Sequence, residues 1–118
     1  MYANLEDLKN IPEENREEQL KAAERDIDRL TYNRIVKIGF DQLTEYQQEL
    51  VKEATIAQAD FRQAFGAMLA SPLASYGING VSMSFDAKRL VMMFGTTTTL
   101  DIYGLLQQTG LTYRGLHG

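Results

Sequence analysis

A small, mainly α-helical bundle with an inserted β-hairpin is the fold class that this 118-residue sequence predicts. Three observations carry the prediction. After Ile11 a charged stretch repeats its apolar residues at spacings of three and four, the period of one helix face. Between Gly39 and Ser71 a second, longer stretch does the same and is rich in alanine. Then "SYGINGVSMSF", residues 75–85, abandons that period for Asn79-Gly80 followed by strict alternation, the signal of a tight hairpin turn.

Taken in order, residues 1–11 form a short leader. A helix is predicted over 12–31, with Pro12 suited to the first helical position and Glu13 and Glu14 favourable at the positive end of the helix dipole. Leu20, Ala23, Ile27 and Leu30 make one narrow apolar seam, and Glu17 pairs with Lys21 on the outside. Such a seam needs a partner helix. In "DIDRLTYNRI", Asp28, Arg29, Thr31 and Arg34 fall at the helix end, where side chains can satisfy free carbonyls.

The partner is predicted over 42–70, with Asp41 or Thr44 as cap and Gln47 at the capping-box spacing from Thr44. Its apolar face holds Leu43, Tyr46, Leu50, Ala54, Ala57, Phe61, Phe65 and Met68. Asp41, Glu45, Glu49 and Glu53 fall opposite. Like charges at i,i+4 cost a few tenths of a kcal/mol per pair. The row therefore reads as a solvated face, or as a surface that repels a polyanion or meets a basic partner. Ile56 projects toward that acidic side. The alanines and Gly66 make the second half of the helix slim, which suits core packing or subunit packing.

Ser71-Pro72 ends the helix. Residues 73–94 are the predicted hairpin region, with strands near 74–78 and 81–85 about Asn79-Gly80 and Val81, Met83 and Phe85 on one face. A second reversal at Asp86-Ala87-Lys88 leads to a strand over 89–94. "GTTTT" reads as a loop or frayed strand, and Thr99 caps a short helix over 100–108 that Gly110 closes, with Leu100, Tyr103, Leu105 and Leu106 inward. Residues 110–118 are too glycine-rich for regular structure but carry Leu111, Tyr113, Arg114 and Leu116, residue types that anchor interfaces.

Length and the 44% apolar content bound the chain to one domain with one modest core. The apolar runs are too short to span a bilayer, and the first residues lack the order of a signal peptide. The absence of cysteine excludes disulfides, thiolate metal sites and a cysteine nucleophile. The net charge of −4 is unevenly placed: residues 1–30 hold nine acidic and five basic side chains, residues 71–118 two and three. Without a Lys/Arg cluster, autonomous nucleic-acid binding is not expected. Catalytic, cofactor and metal constellations are not expected either. The sole histidine, His117, is a tail residue, and no glycine spacing fits a phosphate loop.

The segments "LTEYQQELVKEATIAQADF", "INGVSMSF" and "LQQTGLTYRGL", with "IP" and "IDRLTYNRI" upstream, together resemble the head-tail connector proteins of long-tailed bacteriophages, also called adaptor or head-completion proteins. The resemblance spans almost the whole chain, as several weak motifs in the family's order. It implies a few helices with an inserted hairpin, assembled as a ring, typically twelve-membered, beneath the portal in the neck of the virion. It also implies a non-enzymatic structural protein without cofactors, put together in the host cytoplasm. Its partners would be the portal protein, further copies of itself, and a stopper or tail-completion protein.

By that likeness Leu111, Tyr113, Arg114 and Leu116 would dock toward the portal. Ile56, Ile78, Val81, Met83 and Phe85 would serve ring or neighbour contacts. Glu45, Glu49 and Glu53 would face the DNA channel, repelling phosphates over a Debye length of about 8 Å. The competing expectation is a small acidic regulatory module of the DNA-mimic or anti-repressor type. A small helical enzyme is disfavoured by the missing histidine and cysteine chemistry.

Overall fold

The computed structural model describes residues 2–70 and 90–112, and its architecture is mainly helical with a two-stranded antiparallel hairpin. The elements are α1 (Glu13–Leu30), α2 (Arg34–Ile38), α3 (Glu45–Ala70), β1 (Leu90–Met93), β2 (Thr96–Thr99) and α4 (Leu100–Gln108), with single 3-10 turns at Leu5–Asp7 and Phe40–Gln42.

Pro12 stands at the N-cap of α1, one position before the helix proper, and its carbonyl accepts from Asn15 N at 2.9 Å. The predicted seam is buried throughout, and Ala22 and Asp26 join it. The outward Glu17–Lys21 pair closes at 3.2 Å but is so exposed that it adds little to stability. At the C-terminal end Thr31 turns its hydroxyl back onto the carbonyls of Ile27 and Asp28. Tyr32 and Asn33 then both take positive φ, +57° and +58°, which reverses the chain into α2. The sequence reading had no helix there, because five residues are too few to show a period.

α3 begins where the capping box was expected. Gln47 N donates to Thr44 Oγ1 at 3.1 Å, and Thr44 N donates back to Gln47 Oε1 at 3.0 Å. α3 packs lengthwise on α1 and also against α4. Leu50, Val51, Ala54, Ala59 and Phe61 are buried on it. Tyr46, expected inside, is 61% exposed: it lies in the first turn of the helix, and its hydroxyl donates to Gln108 Oε1 at 3.0 Å on α4.

β1 and β2 pair with Leu90 opposite Thr99 and Met93 opposite Thr96. Their two-residue loop, Phe94-Gly95, has φ of +54° and +76°, the pattern of a type I′ turn. Within "GTTTT", Gly95 is thus the second turn residue and Thr96–Thr99 a full strand rather than a loop or frayed end. A run of identical threonines shows no alternation, yet β-branched threonine suits a pleated, half-buried strand. The hairpin expected about Asn79-Gly80 and the reversal at Asp86-Ala87-Lys88 lie outside the described residues.

Thr99 caps α4, its Oγ1 accepting from Ile102 N at 3.2 Å, and Gly110 closes the end at φ +79°. The buried face of α4 holds Ile102 and Leu106. Leu100, expected inward, is exposed because it is the first helical residue, at the junction with the hairpin.

The interior divides into two clusters. The larger joins α1, α2, α3 and α4 through Ile27, Leu30, Ile35, Val51, Phe61, Leu106 and Leu111. The smaller lies between α1 and α3 under the N-terminal segment, which contributes Ala3, Leu8 and Ile11.

Candidate functional site

Where the hairpin meets the helix pair, a polar knot is buried. Gln58 of α3 is fully enclosed. Its amide nitrogen donates to Asp26 Oδ2 on α1 at 2.9 Å and to the carbonyl of Thr97 on β2 at 3.0 Å, while its oxygen accepts from Thr98 Oγ1 at 2.7 Å. The Asp26 carboxylate is also held by Arg62 at 2.8 Å, whose guanidinium reaches in from a half-exposed position. Burying a carboxylate is costly unless it is both paired with a cation and hydrogen-bonded, and Asp26 has both. Sequence reasoning missed this knot. The available signal was two polar residues, Asp26 and Gln58, set within otherwise apolar helix stripes.

A second cluster ties down the N-terminus. Tyr2 donates its hydroxyl to Asp28 and its backbone N to Glu24 at 2.6 Å, and its ring stacks on Phe40 with centroids 5.2 Å apart. Burial pushes the Tyr2 phenol well above its usual range, reinforced by the Asp28 bond. Burial likewise raises the Asp28 carboxyl, only partly offset by that bond. Tyr2, Ala3, Asn4, Phe40, Gln48, Glu49 and Lys52 line a shallow groove beside it.

Glu45, Glu49 and Glu53 are all exposed, and Glu49 stands at the rim of that groove. Ile56 is not bare. It is half-buried and packs against the smaller apolar cluster, so its aliphatic surface is already used within the chain. Leu111 is likewise no free anchor. It is buried in the main cluster, its amide donates to Thr109 Oγ1, and its carbonyl accepts from Arg34 at 3.0 Å. The tail that looked irregular is pinned to the core through Thr112 because an apolar side chain there finds the α1–α3–α4 interior. Ile78, Val81, Met83, Phe85, Tyr113, Arg114 and Leu116 lie outside the described residues.

Large apolar side chains do remain in solvent. Met92 is 79% exposed on β1, and Phe94 is half exposed at the hairpin tip, edge-on to Tyr32 at 5.3 Å, with Arg34 over the Tyr32 ring. Val36 and Ile38 of α2 are exposed as well. Among the described residues no group of three or more His, Asp or Glu side chains is placed to hold a metal ion, and no helix is long and apolar enough to cross a membrane.

Comparison with protein-family models, with curated proteins and with solved structures finds no match to this chain.

Proposed function

We propose that this chain is a structural protein of a phage neck, one subunit of a ring that joins the capsid portal to the next connector and lengthens the DNA channel. Its partners are then the portal protein, further copies of itself, and a stopper or tail-completion protein. The observation that carries the reading is the division of its surface. An unbroken row of carboxylates, Glu45, Glu49 and Glu53, faces solvent along α3, while Val36, Ile38 and Met92 are exposed elsewhere and Phe94 is half exposed against Tyr32. Glu45 gains from its place in the first turn of α3, but stacking Glu49 and Glu53 behind it adds only repulsion and suits the wall of a passage through which a polyanion must slide without adhering. Bare apolar side chains suit a subunit completed by neighbours. The resemblance of the sequence segments to connector proteins points the same way.

The burial of Leu111 narrows the portal-docking segment to residues 113–118, with Tyr113, Arg114 and Leu116 as its anchors. The test is co-sedimentation with a phage portal protein assembled into rings. The intact chain is expected to travel with portal rings. A truncation after Thr112, which spares Leu111, is expected to fold with full helicity and lose attachment. Retained attachment by the truncated chain sends the interface elsewhere.

The same carboxylate row supports a second reading, a small acidic module that mimics DNA toward a DNA-binding regulator. A chain that ignores portal rings but displaces DNA from such a regulator would establish that reading instead.

A further inference from the structure

We infer that residues 2–12 form an exchangeable strap, and that the groove it fills between α1 and α3 also receives the identical strap of a second copy of this chain. The strap buries Ala3, Leu8 and Ile11 against Leu20, Ala23 and Ala59, with Ile56 alongside. Its backbone hydrogen bonds stay local: the N–H groups of Asp7, Leu8, Ile11 and Asn15 donate to the carbonyls of Asn4, Leu5, Leu8 and Pro12. Each polar contact that fastens it to the helices uses a helix side chain: Glu24 and Asp28 accept from the Tyr2 backbone N and hydroxyl, Arg16 Nε donates to the Ile11 carbonyl at 2.8 Å, Lys52 pairs with Asp7 at 3.9 Å, and Asp60 accepts from Asn10 at 3.5 Å. No sheet or helix ladder has to break for it to leave; the burial of Leu8 and Ile11 and these helix side-chain contacts are what hold it. The fit at Asn10 is also loose. Asp60 Oδ1 beneath it is buried without a hydrogen-bond partner, and burial raises that carboxyl.

The occupant follows from the groove itself. A strap from another copy presents the same Leu8, Ile11 and Tyr2 and makes every contact that the chain's own strap makes, so exchange costs no interaction. Pro12, extended at ψ 141°, starts α1 and makes Ile11-Pro12 the hinge. Passed from each copy to the next in a head-to-tail order, the strap closes a ring; passed reciprocally, it makes a two-fold dimer.

Because the chain has no cysteine, single variants report the exchange directly. Asn10→Cys and Asp60→Cys chains are mixed at high concentration in native buffer with a short bis-maleimide, and Asp7→Cys with Lys52→Cys as a second pair. Covalent dimers are expected from both mixtures, well above the level given by Asn10→Cys with Gln107→Cys of α4. Dimers no more abundant than that background overturn the inference. Tyr2→Phe, which removes the bond to Asp28, is expected to speed cross-linking about tenfold. Cross-linking unaffected by that change and no faster than hydrogen exchange of the α3 core amides means that the strap leaves only with the whole fold, which also overturns it. Portal attachment is a separate measurement, so either result stands whether or not the neck reading does.

Discussion

Replacing Gln58 by alanine tests whether the polar knot, rather than apolar packing alone, seats the hairpin on the helix pair. The side chain makes three hydrogen bonds in a fully enclosed position, one of them to the Asp26 carboxylate. A bond to a charged group is worth about 1.5–3 kcal/mol and each of the others about 1 kcal/mol, so the loss should be about 4 kcal/mol. That is a large share of the roughly 5–15 kcal/mol that holds a domain together. With a urea slope of about 1.5 kcal/mol/M for a chain of this size, the unfolding midpoint should fall by roughly 2–3 M. Hydrogen exchange should accelerate most at β1 and β2, which lose the anchors at Thr97 and Thr98. Gln58→Glu sharpens the test, because it sets a second carboxylate against Asp26 and gives up the amide donor. A proton shared by that pair is held more tightly in the folded state than in the unfolded chain. The variant should therefore be as damaged as Gln58→Ala near neutrality and recover part of the loss in mild acid. A midpoint shift below about 0.5 M for the alanine variant, or a glutamate variant equally unstable at both pH values, would refute the argument.

Other outcomes follow from the same geometry. Asp28 and Asp60 are both raised by burial, so the folded state binds their protons more tightly than the unfolded chain does. Their contribution to stability is fully present below the ordinary carboxylate value and is lost as pH rises through the raised folded values. Asp28→Asn and Asp60→Asn should each flatten the slope of stability against pH in urea titrations as the pH rises above the ordinary carboxylate value of about 4. Leu111→Ala should cost about 2–4 kcal/mol in thermal or urea unfolding, since the side chain is enclosed in the main cluster; a loss under about 0.5 kcal/mol would put it back on the surface. The triple change of Glu45, Glu49 and Glu53 to glutamine should raise stability by no more than about 1 kcal/mol, by relieving two i,i+4 repulsions, and any sizeable destabilisation would show that these carboxylates have partners.

Much of the helical scaffold was legible from residues alone. The Leu20–Leu30 seam, the Thr44/Gln47 capping box, the Thr99 cap and the closing Gly110 all depend on contacts within a few residues, and each stands where its local chemistry puts it. The candidate surfaces were less legible. Ile56 and Leu111 carried the residue types of interface anchors, and nothing near them in sequence indicates that the N-terminal segment covers the first or that the α1–α3–α4 interior takes the second.

What the sequence determined by itself is therefore what short-range physics controls: two amphipathic helices, a capped short third, a negative charge concentrated in residues 1–30, and Glu45, Glu49 and Glu53 on one side of α3. Only the tertiary structure decided the pairing of Leu90–Met93 with Thr96–Thr99, the Tyr32-Asn33 reversal, and the knot that joins Asp26, Gln58 and Thr98 across as many as seventy-two positions. The reason is physical. A cap or a helix face is selected by neighbours the chain cannot avoid, whereas a buried hydrogen bond is selected by whichever distant group arrives to relieve its desolvation.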